Sequence, residues 1–286
     1  MAVLAHTVDE LRRDRAHGGS WLALRAVEAL VEVIEEPASS TEDFLERLLG
    51  AARELAAARP AMGAVAHAVG RLVASAHTAS HLDVDNLRRL LYEEAAGLMA
   101  ARERAAASIA VHLGPSLRDA LVLTHSASAT VREAVLHTPP ARVFCTASAP
   151  FEEGRVLAEG LRREGLDVEV VEDDEVEQAL ETASLVLLGA DCVYEDGSIR
   201  NKIGTRRLAE AARSVGVRVL VACELLKLAA VPPPSVEDEA DLRDTTPAEL
   251  LDEIVTEEGP VVPDDVRALI ERTPFLREGY RLLRGD

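Results

Sequence analysis

Ala120-Leu-Val-Leu-Thr124, Arg142-Val-Phe-Cys145, Val168-Glu-Val-Val171, Leu185-Val-Leu-Leu188 and Val217-Arg-Val-Leu-Val221 are five short runs rich in β-forming residues. Helix-like stretches near 128–137, 154–164, 174–182 and 203–214 separate them. Strands that alternate with helices join through right-handed crossovers, and this predicts an α/β, Rossmann-like domain with a mostly parallel sheet. Ligands of such sheets gather beyond the carboxyl ends of the strands. Three of those ends read Thr124-His-Ser126, Cys145-Thr-Ala-Ser148 and Gly189-Ala-Asp191, so the chemistry is expected there.

Before Gly114-Pro115 the rhythm is different. Trp21-Leu-Ala-Leu-Arg-Ala-Val-Glu-Ala-Leu-Val-Glu-Val-Ile34 carries apolar residues at helical spacing with acidic residues between them. Ser40-Thr-Glu-Asp43 reads as the cap of a helix that runs to about Arg59, where Pro60 interrupts it. Residues 61–79 are small and apolar, which suits close helix packing, and Asp85 to about His112 reads as one long helix. The expected organisation is a helical amino-terminal domain over 1–115 and the Rossmann-like domain over 116–286.

Composition narrows the function. The 286 residues are 48% hydrophobic, enough for a real core, and no run approaches the roughly 18 uninterrupted apolar residues of a membrane span. The first ten residues lack the basic start and apolar block of a signal peptide, which predicts a cytoplasmic protein. A formal net charge of −19 repels phosphate backbones and argues against duplex nucleic acid as a partner. Lys202 and Lys227 are the only lysines in a chain that otherwise uses arginine, which marks them as places where a compact ammonium is wanted. Cys145, Cys192 and Cys223 have no CxxC pairing and no metal-ligand spacing, so they read as small buried residues, with neither a disulfide frame nor structural zinc. His77 and His81 stand four apart on a helix but lack a carboxylate pattern. No metal and no cofactor are expected.

The most informative segment is Gly189-Ala-Asp191-Cys-Val-Tyr-Glu-Asp-Gly197-Ser-Ile-Arg-Asn201-Lys202-Ile-Gly204-Thr205. It leaves a strand, turns through Gly197 and enters a helix near Ile203. Amides at a helix start, together with Lys202, suit a small phosphate. Asp191 suits acid/base work or hydrogen bonds to sugar hydroxyls, or simply the tethering of its loop. The acidic stretch Glu172-Asp-Asp-Glu175 reads as a solvated loop leading into a helix.

These motifs resemble those of the initiation-factor-2B-related family. That family includes the α, β and δ regulatory subunits of translation initiation factor 2B, ribose-1,5-bisphosphate isomerase and methylthioribose-1-phosphate isomerase. Gly189-Ala-Asp191 and Asn201-Lys-Ile-Gly-Thr205 are similar to its Gly-Ala-Asp and Asn-Lys-Ile-Gly-Thr motifs. Leu121-Val-Leu-Thr-His-Ser126, Glu224-Leu-Leu-Lys227 and the Asp244-Thr-Thr-Pro247 and Thr256-Glu-Glu-Gly259 segments follow its other signatures. Ala58-Arg59-Pro60 resembles the family's Arg-Pro turn, and His17-Gly18-Gly19-Ser20 stands in place of its Arg-Gly-Ala turn.

The resemblance implies a ligand site of Gly18, Gly19, Arg59, Asn201 and Lys202 for a ribose phosphate or nucleotide, with Asp191 at the chemistry. It also implies a homodimer or higher oligomer, an initiation-factor partner, and a dimer contact to which the apolar segment Val261–Ile270 contributes. The isomerases have a Thr-His-Cys turn whose cysteine works with the aspartate in moving protons; here the position holds Ser126. A thiol has a pKa of about 8.5, whereas a serine hydroxyl is far less acidic. The isomerases also tend to carry Glu-Thr-Arg-Pro after the next strand, and here the residues are Ala147-Ser-Ala-Pro150. The expectation is a regulatory protein, like a subunit of translation initiation factor 2B, that binds a sugar phosphate or nucleotide without turning it over. The alternative is an aldose–ketose isomerase in which another group replaces the cysteine.

Overall fold

A computed structural model describes residues 2–14, 17–235 and 242–285. The chain divides into two compact units. The first comprises residues 1–102, 226–231 and 268–286, and the second 103–225 and 232–267.

The first unit is helical. It holds α1 (Ala2–Arg13), α2 (Gly19–Glu35), α3 (Thr41–Ala58), α4 (Gly63–Thr78) and the opening turns of α5 (Val84–Leu117). Ser40 caps α3 by accepting from the Asp43 amide at 3.1 Å. α3 stops at Arg59 because the following Pro60 disfavours the helical conformation, and Arg59 adopts φ −143°, ψ 73°. α4 is the axis of the unit. It packs on α2 and α3 and on the last helix, α11 (Leu276–Arg284). Small residues make that possible: a Cβ on Gly279 would lie 2.6 Å from the backbone of Gly70. Leu22, Leu30, Leu55 and Leu72 are fully buried in this core.

The second unit contains a seven-stranded sheet. Its strands are β1 (Leu121–Thr124), β2 (Arg142–Thr146), β3 (Val168–Val171), β4 (Leu185–Gly189), β7 (Arg218–Ala222), β10 (Glu253–Thr256) and β11 (Gly259–Val261). Their order is β11-β10-β7-β4-β1-β2-β3. Every neighbouring pair is parallel except β10 with β11. The crossovers include α6 (Ala129–His137), α7 (Glu153–Arg163), the short α8 (Val176–Leu180) and α9 (Thr205–Val215). From β1 the chain builds outward through β2 and β3, then returns to place β4 on β1's other side. The topological switch point therefore lies between β1 and β4, and beyond their carboxyl ends a crevice is expected to hold ligand.

A second, smaller sheet sits in the same unit. β6 (Ile199–Lys202) pairs antiparallel with β5 (Cys192–Tyr194) and with β9 (Arg243–Thr246). The β5–β6 hairpin turns at Gly197, whose φ is +82° and where a Cβ would lie 2.3 Å from the Pro263 carbonyl oxygen, so a side chain has no room. This hairpin and β9 were not foreseen from the sequence. The strand β8 (Leu228–Ala229) belongs to the first unit, against α4. α5 also exceeds expectation, running through Pro115 to Leu117, where proline sits within the last turn. In α10 (Val266–Arg272), Val266, Leu269 and Ile270 are buried within the chain, while Val262, earlier in the same apolar segment, is exposed.

Candidate functional site

The carboxyl ends of β1 and β2 are locked by a chain of hydrogen bonds. His125, following β1, is only 4% exposed. Its Nε2 lies 2.9 Å from the carbonyl of Ile203, and its Nδ1 lies 2.7 Å from Thr146 Oγ1. A carbonyl only accepts, so Nε2 carries the proton and Nδ1 accepts from the threonine hydroxyl. The Thr146 hydroxyl then accepts from Ser148 Oγ at 2.9 Å, and Ser148 Oγ accepts from the Ser126 amide at 2.7 Å. Burial lowers the imidazole's pKa below its ordinary value, in keeping with the neutral ring this chain requires. Both ring nitrogens are thus occupied by partners other than the Ser126 hydroxyl.

Ser126 and Ser148 occupy equivalent turns after β1 and β2. Both adopt the left-handed conformation, at φ +64° and +63°. Non-glycine residues there carry strain that surrounding bonds must hold, and such strain clusters at functional turns. The Ser148 turn is held by Asp173, whose two carboxylate oxygens accept from the amides of Ser148 and Ala149, each at 2.8 Å. Asp173 is therefore a structural anchor, which corrects its reading as part of a solvated acidic loop. Across the switch point Gly189 ends β4, and a Cβ there would lie 2.6 Å from Ser128.

Asp191 follows β4, and its Oδ2 accepts from Arg243 Nε at 2.6 Å, with both side chains largely shielded from solvent. The next residue along β9, Asp244, faces the helix start. Its Oδ2 accepts from the Gly204 amide at 2.7 Å and its Oδ1 from the Arg206 amide at 3.2 Å. The amides at the beginning of α9, expected to cradle a phosphate, are thus engaged by the chain's own carboxylate. Asn201 Nδ2 donates to Thr205 Oγ1 at 3.0 Å, and that hydroxyl donates to the Lys202 carbonyl at 2.6 Å, so Asn201 stiffens the β6–α9 turn. Lys202 is buried, with Nζ 3.1 Å from Glu153 Oε1.

Arg59, Gly18 and Gly19 lie in the first unit. Arg59 is 7% exposed, and its Nη1 donates to the carbonyls of Leu11 and Asp14. Gly18 is the residue before α2, and its carbonyl accepts from Trp21 and Leu22. The second unit brings Ser126, Asp191, Asn201 and Lys202 to the carboxyl edge of its sheets. The partners Arg243, Asp244 and Glu153 were missed by sequence reasoning, because an ion pair between distant segments leaves no local pattern.

Cys145, Cys192 and Cys223 are buried, and burial pushes Cys145 up to about 12. Glu257, beyond β10, accepts from the Leu225 amide at 2.9 Å, while burial raises its carboxyl above the ordinary value and the neighbouring Glu224 and Glu258 add to that. Among the described residues no group of three or more His, Cys, Asp or Glu side chains is placed to hold a metal ion. No described helix is long and apolar enough to cross a membrane.

Comparisons with known proteins agree on the kind of fold and diverge on activity. A family model described as the initiation factor 2 subunit family matches residues 15–263. A putative translation initiation factor eIF-2B subunit 2-like protein of Pyrococcus horikoshii is 31% identical over 226 residues, 76% of each chain. A ribose 1,5-bisphosphate isomerase of Haloferax volcanii is 28% identical over 294 residues, covering 92% of this chain and 90% of that one. The crystal structure of the Pyrococcus horikoshii translation initiation factor eIF-2B matches with a TM-score of 0.77 and 26% identity, over 91% of this chain and 97% of the other.

Proposed function

The chain belongs to the initiation factor 2 subunit family, and within it we propose that it is a regulatory, non-catalytic protein of the translation initiation factor 2B kind, binding a ribose phosphate or a nucleotide in the cytoplasm. Lys202, with Asn201 one residue before it, is the anion-holding cation of the second unit, and the family likeness offers Arg59, Gly18 and Gly19 as the corresponding residues of the first. Family likeness also supports a homodimer or larger assembly, and an initiation-factor partner.

The observation that carries this reading is the pairing of Asp191 with Arg243 at 2.6 Å, after β4, whose neighbour β1 is followed by the turn that bears Ser126. An aldose–ketose conversion moves a proton between neighbouring carbons and needs two positioned acid/base groups whose atoms are open to the substrate. Here a guanidinium donates to one oxygen of the carboxylate, and a serine hydroxyl stands where the isomerases resemble one another in a cysteine.

The second reading, a ribose-1,5-bisphosphate isomerase, draws on the Haloferax volcanii relative. Titration calorimetry with ribose 1,5-bisphosphate tests the binding half. Lys202→Ala and Arg59→Ala are each expected to weaken affinity by roughly 10–150-fold, the loss of one charge-assisted hydrogen bond. Unchanged affinity in both variants contradicts the site. Light scattering tests the assembly: a species of 30.7 kDa alone at micromolar concentration contradicts the dimer.

A further inference from the structure

Lys202 already faces a carboxylate of its own unit. Its Nζ donates to Glu153 Oε1 at 3.1 Å and stands 4.7 Å from the centre of the Phe151 ring. The lysine side chain is 9% exposed, so the pair is shielded and its attraction is stronger than at a surface. Glu153 opens α7, and the main chain there has no freedom to withdraw. A Cβ on the next residue, Gly154, would lie 1.8 Å from the Thr146 carbonyl oxygen, so the helix start is pressed onto the end of β2. The other carboxylate oxygen, Oε2, is closed off from solvent and has no hydrogen-bond partner among the described residues. A buried oxygen without a donor is costly. Glu153 therefore holds Lys202 through one oxygen while the other is unsatisfied, and its side chain is 28% exposed.

We propose that Glu153 is a specificity-determining residue: a built-in carboxylate that an incoming anion must displace from Lys202, which admits a dianionic phosphate monoester and turns away a monoanion. This inference rests on Lys202 being a ligand-binding cation. Coulomb attraction scales with charge, and a phosphate monoester carries about −1.5 to −2 at neutral pH. A monoanion exchanges one carboxylate for an equivalent charge and still loses association entropy, so it gains nothing. A monoester brings nearly twice the charge to the same ammonium and prevails.

Calorimetry at fixed ionic strength tests this with ribose 5-phosphate, a dianion, and its methyl phosphodiester, a monoanion larger by one methyl group. Glu153→Gln keeps the side-chain length and an acceptor for Lys202 but removes the charge. It is expected to tighten the diester by about tenfold and the monoester by about threefold or less, narrowing the preference between them. Glu153→Asp retains the charge and is expected to keep the wild-type preference. With Lys202→Ala in the background, Glu153→Gln is expected to alter neither affinity. An unchanged preference in Glu153→Gln, with ribose 5-phosphate still bound by the wild type, overturns the inference alone. Failure of ribose 5-phosphate to bind either the wild type or Glu153→Gln overturns the phosphate-binding reading and the inference together.

Discussion

The helical unit and the sheet-bearing unit spend their buried polar groups differently. Around α4 the interior is mostly aliphatic, with His67 and Ser75 among its few buried polar residues, and at Gly70–Gly279 two backbones meet without side chains. At the carboxyl edge of the sheets the buried residues include His125, Thr146, Ser148, Lys202 and Asp244, each hydrogen-bonded. The first arrangement is governed by volume and the second by pairing. A volume-governed core tolerates few changes in size but carries little chemistry. A polar edge is costly to bury, and each of its members persists only while its partner is present.

The largest expected effect lies in the volume-governed unit. Leu72→Ala empties a fully buried site on α4 and is expected to cost about 3 kcal/mol, read from denaturant unfolding. The next tests the polar edge. Asp244→Ala leaves the Gly204 and Arg206 amides without their carboxylate and is expected to cost about 2 kcal/mol. If Asp244→Ala proves harmless, the distinction between the two units fails.

A smaller effect separates the units by pH. Burial holds the His125 pKa below its ordinary 6.5, so below that pH the unfolded chain binds a proton that the folded chain refuses. Stability from the buried neutral ring is full above pH 6.5 and falls as the pH drops below it. One proton corresponds to a slope of up to about 1.4 kcal/mol per pH unit. His125→Asn is expected to flatten this limb between pH 6.5 and the onset of carboxylate titration, whatever it does to absolute stability; an unaltered slope contradicts a buried neutral His125. The smallest effect is at the surface. Arg163 pairs with Glu159 on the exposed face of α7, and Arg163→Ala is expected to leave the melting temperature unchanged within error.

How much of this was legible in the sequence follows from what is local. The five strands from Ala120 to Val221 could be read because parallel strands are short runs rich in β-forming apolar residues, broken here only by charges such as Glu169 and Arg218, and the Ser40 cap because its partner is three residues away. The β5–β6 hairpin was hidden because its strands are short and one carries Arg200, Asn201 and Lys202, polar residues that only their partners allow to be buried. The candidate residues themselves could be named from motifs. What surrounds them could not: Arg243 is 52 positions from Asp191, Asp244 is 40 from Gly204 and Glu153 is 49 from Lys202. Those pairings come from the crossovers of the sheet, and they decide whether a charge is available to a ligand.

The central claim, binding without turnover, is tested most directly by proton NMR of ribose 1,5-bisphosphate in deuterated water with the wild-type protein. The account predicts bound-state perturbation of the sugar signals, no ketose signals and no exchange at the second carbon, with at most a trace of turnover when Ser126→Cys restores the thiol. Rapid formation of the ketose by the wild type, abolished by Asp191→Asn, would contradict it and establish an isomerase.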